Sequence, residues 1–183
     1  TLWVGSKTEG ISSFKNGRWI YYGIEDGIPT GKIRSMTQDR WGRIWASVEY
    51  QGIVSYLPST DPPKVWVNSA TSKLIPRERG LFTFQGRDIF HRTDPVDLVF
   101  SWRIVNSNHP ERSTSWTAYS KETRIMTPPL EPGEFRLEVR AQDKDRNTSP
   151  ESAIANVTVV PFFWNTLQFQ IPVALSTLFA CLA

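Results

Sequence analysis

The stretch LWVGSKTEGISSF (residues 2–14) returns 42 residues later as IWASVEYQGIVSY (44–56), and this repeat constrains the chain more than any other feature. Trp3 aligns with Trp45, Gly10 with Gly52, Ile11 with Ile53 and Phe14 with Tyr56. A period of about 40 to 45 residues made of short strands is the signature of β-propeller blades. Each blade is one small sheet that cannot bury both faces alone, so it leans on its neighbours. On this reading the chain holds at most one and a half blades, opens inside one, and is a fragment of a larger protein.

Composition narrows the class. Eight Trp, ten Phe and five Tyr make 13% aromatics, too many for a disordered chain. Thirteen Pro and eleven Gly, scattered as punctuation, fit many short strands and turns. The net charge is +3 with Lys and Arg dispersed, so no basic stripe points to nucleic acid. The single Cys181 lies in the apolar tail, which leaves no internal disulfide and permits any compartment. No charged-then-apolar leader is visible at the start.

Along residues 1–67 the pattern predicts strands at 2–6, 11–14, 18–22, 32–39, 44–50, 53–57 and 64–68. Glu9-Gly10 and Asn16-Gly17 supply the positive φ that tight hairpins demand. Gly27-Ile28-Pro29 falls where a loop must cross from one sheet to the next. The run GIPTGKIRSMTQDRWGRIWASVEYQGIVSY (27–56) resembles the two-component regulator propeller repeat, with Gly27, Ile28, Pro29, Ile33, Asp39, Gly42, Ile44 and Trp45 filling its pattern. Ile stands at its Leu and Val places, and its Trp-apolar-Gly-Thr is weakened to Trp45-Ala46-Ser47, while Trp3-Val4-Gly5-Ser6 keeps it better. Trp3, Trp45, Asp39 and Gly42 read as structural, with indoles packing between sheets and Asp with Gly making a turn. Trp41 and Tyr50, beside loops, are the aromatics free to stack on a sugar or similar ligand.

After a Pro- and Ser-containing linker at 68–76, residues 77–160 again alternate, with strands predicted at 81–85, 98–105, 116–119, 124–126, 134–141 and 155–160. Phe135, Leu137, Val139 and Ala141 point one way and Glu134, Arg136, Glu138 and Arg140 the other, as in an antiparallel strand with one wet face. Such short strands favour a disulfide-free β-sandwich of Ig-like or fibronectin-like kind. FTFQGRDIF (82–90), LVFSWRI (98–104), Trp116, LEPGEFRLEVRAQDKDRN (130–147) and PFFWNT (161–166) resemble the Y_Y_Y domain, an Ig-like module that follows regulator propellers. The copy departs at Phe100-Ser101-Trp102 and Phe135, where Tyr is common, and at Arg146, where Gly usually precedes Asn. Asp143, Asp145 and Asn147 alternate as calcium ligands do, but Thr148 and Ile154 stand where an EF-hand loop needs Gly and Glu. A capped turn is the better account.

From Ser152 onward 32 residues carry no charge, and the final thirteen, from Ile171, are almost wholly apolar. Thirteen helical residues span about 20 Å, short of the ~30 Å hydrocarbon core. Phe162, Phe163 and Trp164 precede them as an interfacial belt would, so residues 161–183 read as the start of a transmembrane helix. The alternative is a terminal strand or core helix, which Gln168, Gln170 and Pro172 suit.

No catalytic, cofactor or metal site is legible. His91 and His109 are the only histidines, no phosphate loop or nucleophile elbow appears, and Ser113, Ser115 and Ser120 lack a base. The expected fold is all-β: a partial propeller, an Ig-like sandwich and the start of a membrane helix. The resemblance implies a membrane-bound two-component sensor, often a hybrid histidine kinase, with residues 1–160 periplasmic. It further implies a small-molecule or saccharide ligand on the full propeller and a homodimer through the Ig-like module; the missing catalytic motifs lead to the expectation of no enzyme within these residues. The alternatives are a membrane-tethered carbohydrate-binding or adhesion protein, or the same front end on a cyclase, phosphatase or transcription regulator.

Overall fold

The computed structural model describes residues 1–90, 92–165 and 168–172. It is all-β, and its two compact units divide between Asp61 and Pro62.

The first unit holds two antiparallel meanders. β1 (Leu2–Gly5), β2 (Ile11–Lys15) and β3 (Arg18–Tyr22) form one three-stranded sheet; β4 (Ile33–Gln38), β5 (Ile44–Val48) and β6 (Gly52–Tyr56) form the other. Asn16 and Gly17 join β2 to β3 with φ of 51° and 76°, the two positive angles that a two-residue hairpin turn requires. Because the repeat aligns β1 with β5 and β2 with β6, the two sheets are offset copies of one plan. Ile28 follows a 3-10 turn at Ile24–Asp26 and is 1% exposed, so the crossing loop also plugs the core. It buries there with Ile11, Tyr22, Ile44 and Ala46. The Tyr22 ring lies 5.3 Å from Trp3 and 4.7 Å from Tyr56, which brings both copies of the repeat against one side chain.

Where the repeat would place a partner for β6, the chain leaves the pattern. Pro58, Pro62 and Pro63 interrupt it, and a proline has no N–H to give a ladder. The next strand, β7 (Lys64–Ala70), pairs with β9 (Leu81–Arg87) instead. The repeat pattern alone places the end of the first domain at residue 67 and a linker at 68–76. Here residues 64–70 belong to the second unit, and β8 (Lys73–Leu74) occupies part of that linker.

The second unit is a two-sheet sandwich. One sheet has the order β11-β9-β7, with β11 at Arg124–Met126. The other is β10-β12-β13-β8, with β10 at Val99–Asn106, β12 at Gly133–Gln142 and β13 at Ala153–Val159. Apart from the parallel pair β13–β8, all strands pair antiparallel. This is the Greek-key order of an immunoglobulin-like fold. Phe82, Phe84, Phe100, Leu137, Val139 and Val157 fill the space between the sheets. The Phe84 and Phe100 rings meet across it at 5.2 Å. Burying each such ring contributes about 2–3 kcal/mol.

Register fixes the polarity of this unit. Lys64 pairs with Arg87 and Val99 with Gln142 at one end; Asn106 pairs with Phe135 and Gly133 with Val159 at the other. The chain therefore enters the sandwich at one end, the proximal end, and leaves β13 at the opposite, distal end. The expected strand at 116–119 is an irregular edge segment along β10. Thr117 and Ser120 donate their N–H groups to the carbonyls of Trp102 and Phe100. In return the Thr114 and Thr117 hydroxyls accept from the Ile104 and Trp102 N–H groups at 2.8 and 3.0 Å. Hydroxyls standing in for carbonyls keep β10 paired without a regular strand beside it.

After β13, Phe163–Asn165 form a 3-10 turn and residues 168–172 are helical. Among the described residues no helix is long and apolar enough to cross a membrane. Residues 173–183 of the expected membrane segment lie outside the described residues, as does His91.

Candidate functional site

In the first unit the chemistry concentrates on the turn between β4 and β5. Asp39 Oδ1 accepts the Trp41 and Arg43 N–H groups at 2.9 and 3.0 Å, and Oδ2 accepts the Trp45 indole N–H at 3.0 Å. Gly42, at φ 86°, makes the return. Asp39 needs its carboxylate form to accept all three bonds, and the indole bond foremost holds its pKa below the usual value. The spacing from Asp39 to Gly42 and Trp45 thus has one cause: an acid that caps the turn and orients the indole. Trp45 is 39% exposed.

The two loop aromatics singled out from sequence point outward. Trp41 is 70% exposed, with the Arg40 guanidinium 4.1 Å from its ring centroid. Tyr50 is almost fully exposed and sits at φ 63°. Both can receive a flat ligand face, but they stand on different turns, one before β5 and one after it.

In the sandwich the supposedly wet face of β12 carries an ordered ladder that alternation alone could not reveal. Glu138 is buried, and its Oε2 takes Arg103 Nε at 2.8 Å while its Oε1 meets Arg136 Nε at 2.9 Å. Trp116 lies between two cations, 4.8 Å from Arg103 and 4.2 Å from Arg140, and Arg140 also faces the Tyr119 ring at 5.2 Å. Pairing with two guanidinium groups permits a carboxylate to be buried here.

The proximal end carries the other electrostatic feature. Asp143 Oδ1 and Oδ2 accept the Asn147 N–H and side-chain amide at 2.7 and 2.8 Å. This is the capped turn expected from sequence, with Arg146 at φ 71° where Gly would be unstrained. Burial pushes the Asp143 pKa up to about 6, aided by the nearby Asp145 and Asp88 and opposed by the Asn147 bonds. Asp88 accepts the Phe90 and Thr93 N–H groups, and Thr93 Oγ1 accepts the Lys144 N–H at 3.2 Å. The loop after β9 is therefore tied to the turn after β12. Among the described residues no group of three His, Cys, Asp or Glu could hold a metal ion. His109 is exposed and pairs with Glu111 at 3.2 Å, while Ser113 and Ser120 bond to the edge of β10.

No protein-family pattern and no curated protein matches this chain. Solved structures do. The extracellular domain assigned to a hybrid two-component system, BT3049, of B. thetaiotaomicron aligns over 87% of this chain and 25% of its own length, at 15% identity and a TM-score of 0.53. That likeness establishes a shared fold. The extracellular domain assigned to a second hybrid system of that organism, BT4673, aligns over 87% of this chain and 29% of its own at 16% identity, but its TM-score of 0.38 carries no argument. The chain spans about a quarter of the length of the BT3049 domain.

Proposed function

We propose that this chain is part of the extracytoplasmic sensory region of a membrane-bound two-component sensor. The first unit supplies blades to a propeller that takes a small-molecule or saccharide ligand. The sandwich relays the outcome, as one half of a homodimer, to an aromatic belt and the start of a membrane helix within residues 161–183. Recognition and relay, not catalysis, is the role proposed for these residues.

The observation that carries the reading is the order of the parts in a fold shared with the BT3049 extracellular domain. Two repeat-related meanders come first, and a sandwich follows whose inlet and outlet lie at opposite ends. A module built in that way passes a displacement from one end to the other. A ligand can drive such a relay only by binding two arrangements with different affinity.

The test is to sequence the reading frame on both sides of the fragment. Further 42-residue repeats upstream and a phosphoacceptor-His kinase downstream are expected. A frame that stops within a few codons of Ala183 would overturn the signalling reading and favour a tethered binding protein.

A further inference from the structure

The outer face of sheet β11-β9-β7 takes no part in the sandwich core. Phe82, Phe84 and Gly86 of β9 turn inward and are buried, so Thr83, Gln85 and Arg87 turn outward. Register sets Lys64 beside Arg87 and Trp66 beside Gln85 on that outer face. A hollow of about 540 Å³ is lined by Trp66, Gln85 and Arg87 of that face, by Val96 and Lys121, and also by Gly86 and Phe100, so it reaches from the outer face to the margin of the core. A second of about 320 Å³, lined by Lys64, Trp66, Arg87 and Ile89, shares two of those residues with it. Such volumes suit a small ligand.

Three properties of this surface point to one kind of occupant. The Trp66 indole is 42% exposed and has no ring or cation partner among the described residues, so its face is open to a sugar ring. Arg87 and Lys64 have no acid within ion-pair distance among the described residues, and neither hollow is lined by a carboxylate. Only Lys121 is paired, with Asp97 at 2.7 Å. Gln85 and Thr123 add neutral hydrogen-bonding groups of the sort that hydroxyls need.

We propose that this face is a recognition site for an acidic saccharide, with Trp66 stacking on one sugar ring and Arg87 and Lys64 binding its carboxylate or sulfate. A planar guanidinium fork matches either anion. The surface lies at the proximal end, away from Val159 where the chain leaves the sandwich, so a lipid headgroup is the poorer fit. A second copy is also a poor fit, since a two-fold contact would set the same unpaired cations against each other. The site stands whether or not the first unit binds a ligand of its own.

Titration calorimetry of the full chain tests it, with tetragalacturonate, its methyl ester and a chondroitin sulfate tetrasaccharide as probes. At least one acidic probe is expected to bind, with the ester weaker by about tenfold or more. Trp66→Ala and Arg87→Gln should each lower that affinity by about tenfold, whereas Lys73→Ala, on the other sheet, should leave it unchanged. Circular dichroism confirms that each variant is folded; if Trp66→Ala is not, Trp66→Phe and Arg87→Gln decide. Failure of every acidic probe at millimolar concentration overturns the proposal. So does equal binding of the ester, or full affinity in the Trp66 variant, which would mark diffuse charge attraction. A dimer in light scattering that dissociates on Trp66 substitution would assign the face to a second copy and overturn it too.

Discussion

The two units meet the same burial problem to different degrees. Among the described residues, the sandwich gathers fourteen buried apolar side chains from both of its sheets into one cluster. The first unit gathers five and leaves Leu2, Val4, Trp19, Tyr21 and Ile53 between 41% and 73% exposed. A sandwich closes its core by folding one sheet onto the other, whereas a three-stranded meander has a second face that needs a further sheet.

The contrast recurs in miniature at two turns, each headed by an aspartate. Asp39 and Asp143 both accept the N–H group four residues on, and both turns return through a positive φ three residues on, at Gly42 and Arg146. Yet the first carboxyl is held below its usual pKa and the second is pushed up to about 6. The motif is the same. Exposure beside an indole donor sets one sign; burial beside two other carboxylates sets the other.

Hydrogen exchange on the whole chain should give the largest contrast. Amides of β9, β10 and β12 are expected to exchange about 100-fold more slowly than those of β1, β2 and β3. Equal protection in both units would break the comparison. Next in size is Gly42→Val, which forces a β-branched residue to φ 86° and should cost about 2 kcal/mol, read as lost protection in the β4–β5 hairpin.

The pH response comes third. Asp143 binds its proton more readily in the folded state, at about 6, than at the ordinary value of 3.8. Its stabilising contribution is therefore present at low pH, shrinks as pH rises from about 4 to about 6, and is gone above that. Going from about pH 7.5 to about pH 5 should strengthen the sandwich by about 1 kcal/mol through this group, allowing for solvent screening. Asp143→Asn removes that increment, so the difference between native and variant denaturation curves must change with pH; a constant difference would refute it. The smallest effect is Arg146→Gly, which relieves a left-handed residue and should raise the sandwich midpoint by about 0.5 kcal/mol equivalent.

Much of this was legible in the sequence because it is periodic. Alternation located most strands to within a residue or two, and Asp39 with Gly42 announced a turn whose bonds the structure now shows, while the bond from the Trp45 indole to Asp39 was not legible. What stayed hidden depends on partners far along the chain. Lys64–Ala70 reads as a strand wherever it pairs, and only Pro58, Pro62 and Pro63 hinted that it would abandon the preceding sheet. Two residues, Lys73 and Leu74, carry too little pattern to signal a parallel pairing with β13. Glu138 sits at a solvent-facing position by alternation, yet Arg103 from another strand makes it an interior ion. The Trp66 face is equally silent, since its cations come from β7 and β9 and its walls from the loop before β10.

The parallel pairing of β8 with β13 has a mechanical consequence. Tension applied between the two ends of the sandwich would draw β8 and β13 in opposite directions along their shared axis. The bonds from Thr158 N–H to the Ser72 carbonyl and from Val160 N–H to the Leu74 carbonyl, both 2.9 Å, would be loaded together in shear and not unzipped one after the other. A strand of two residues thereby clamps the module against extension along the line on which it is pulled.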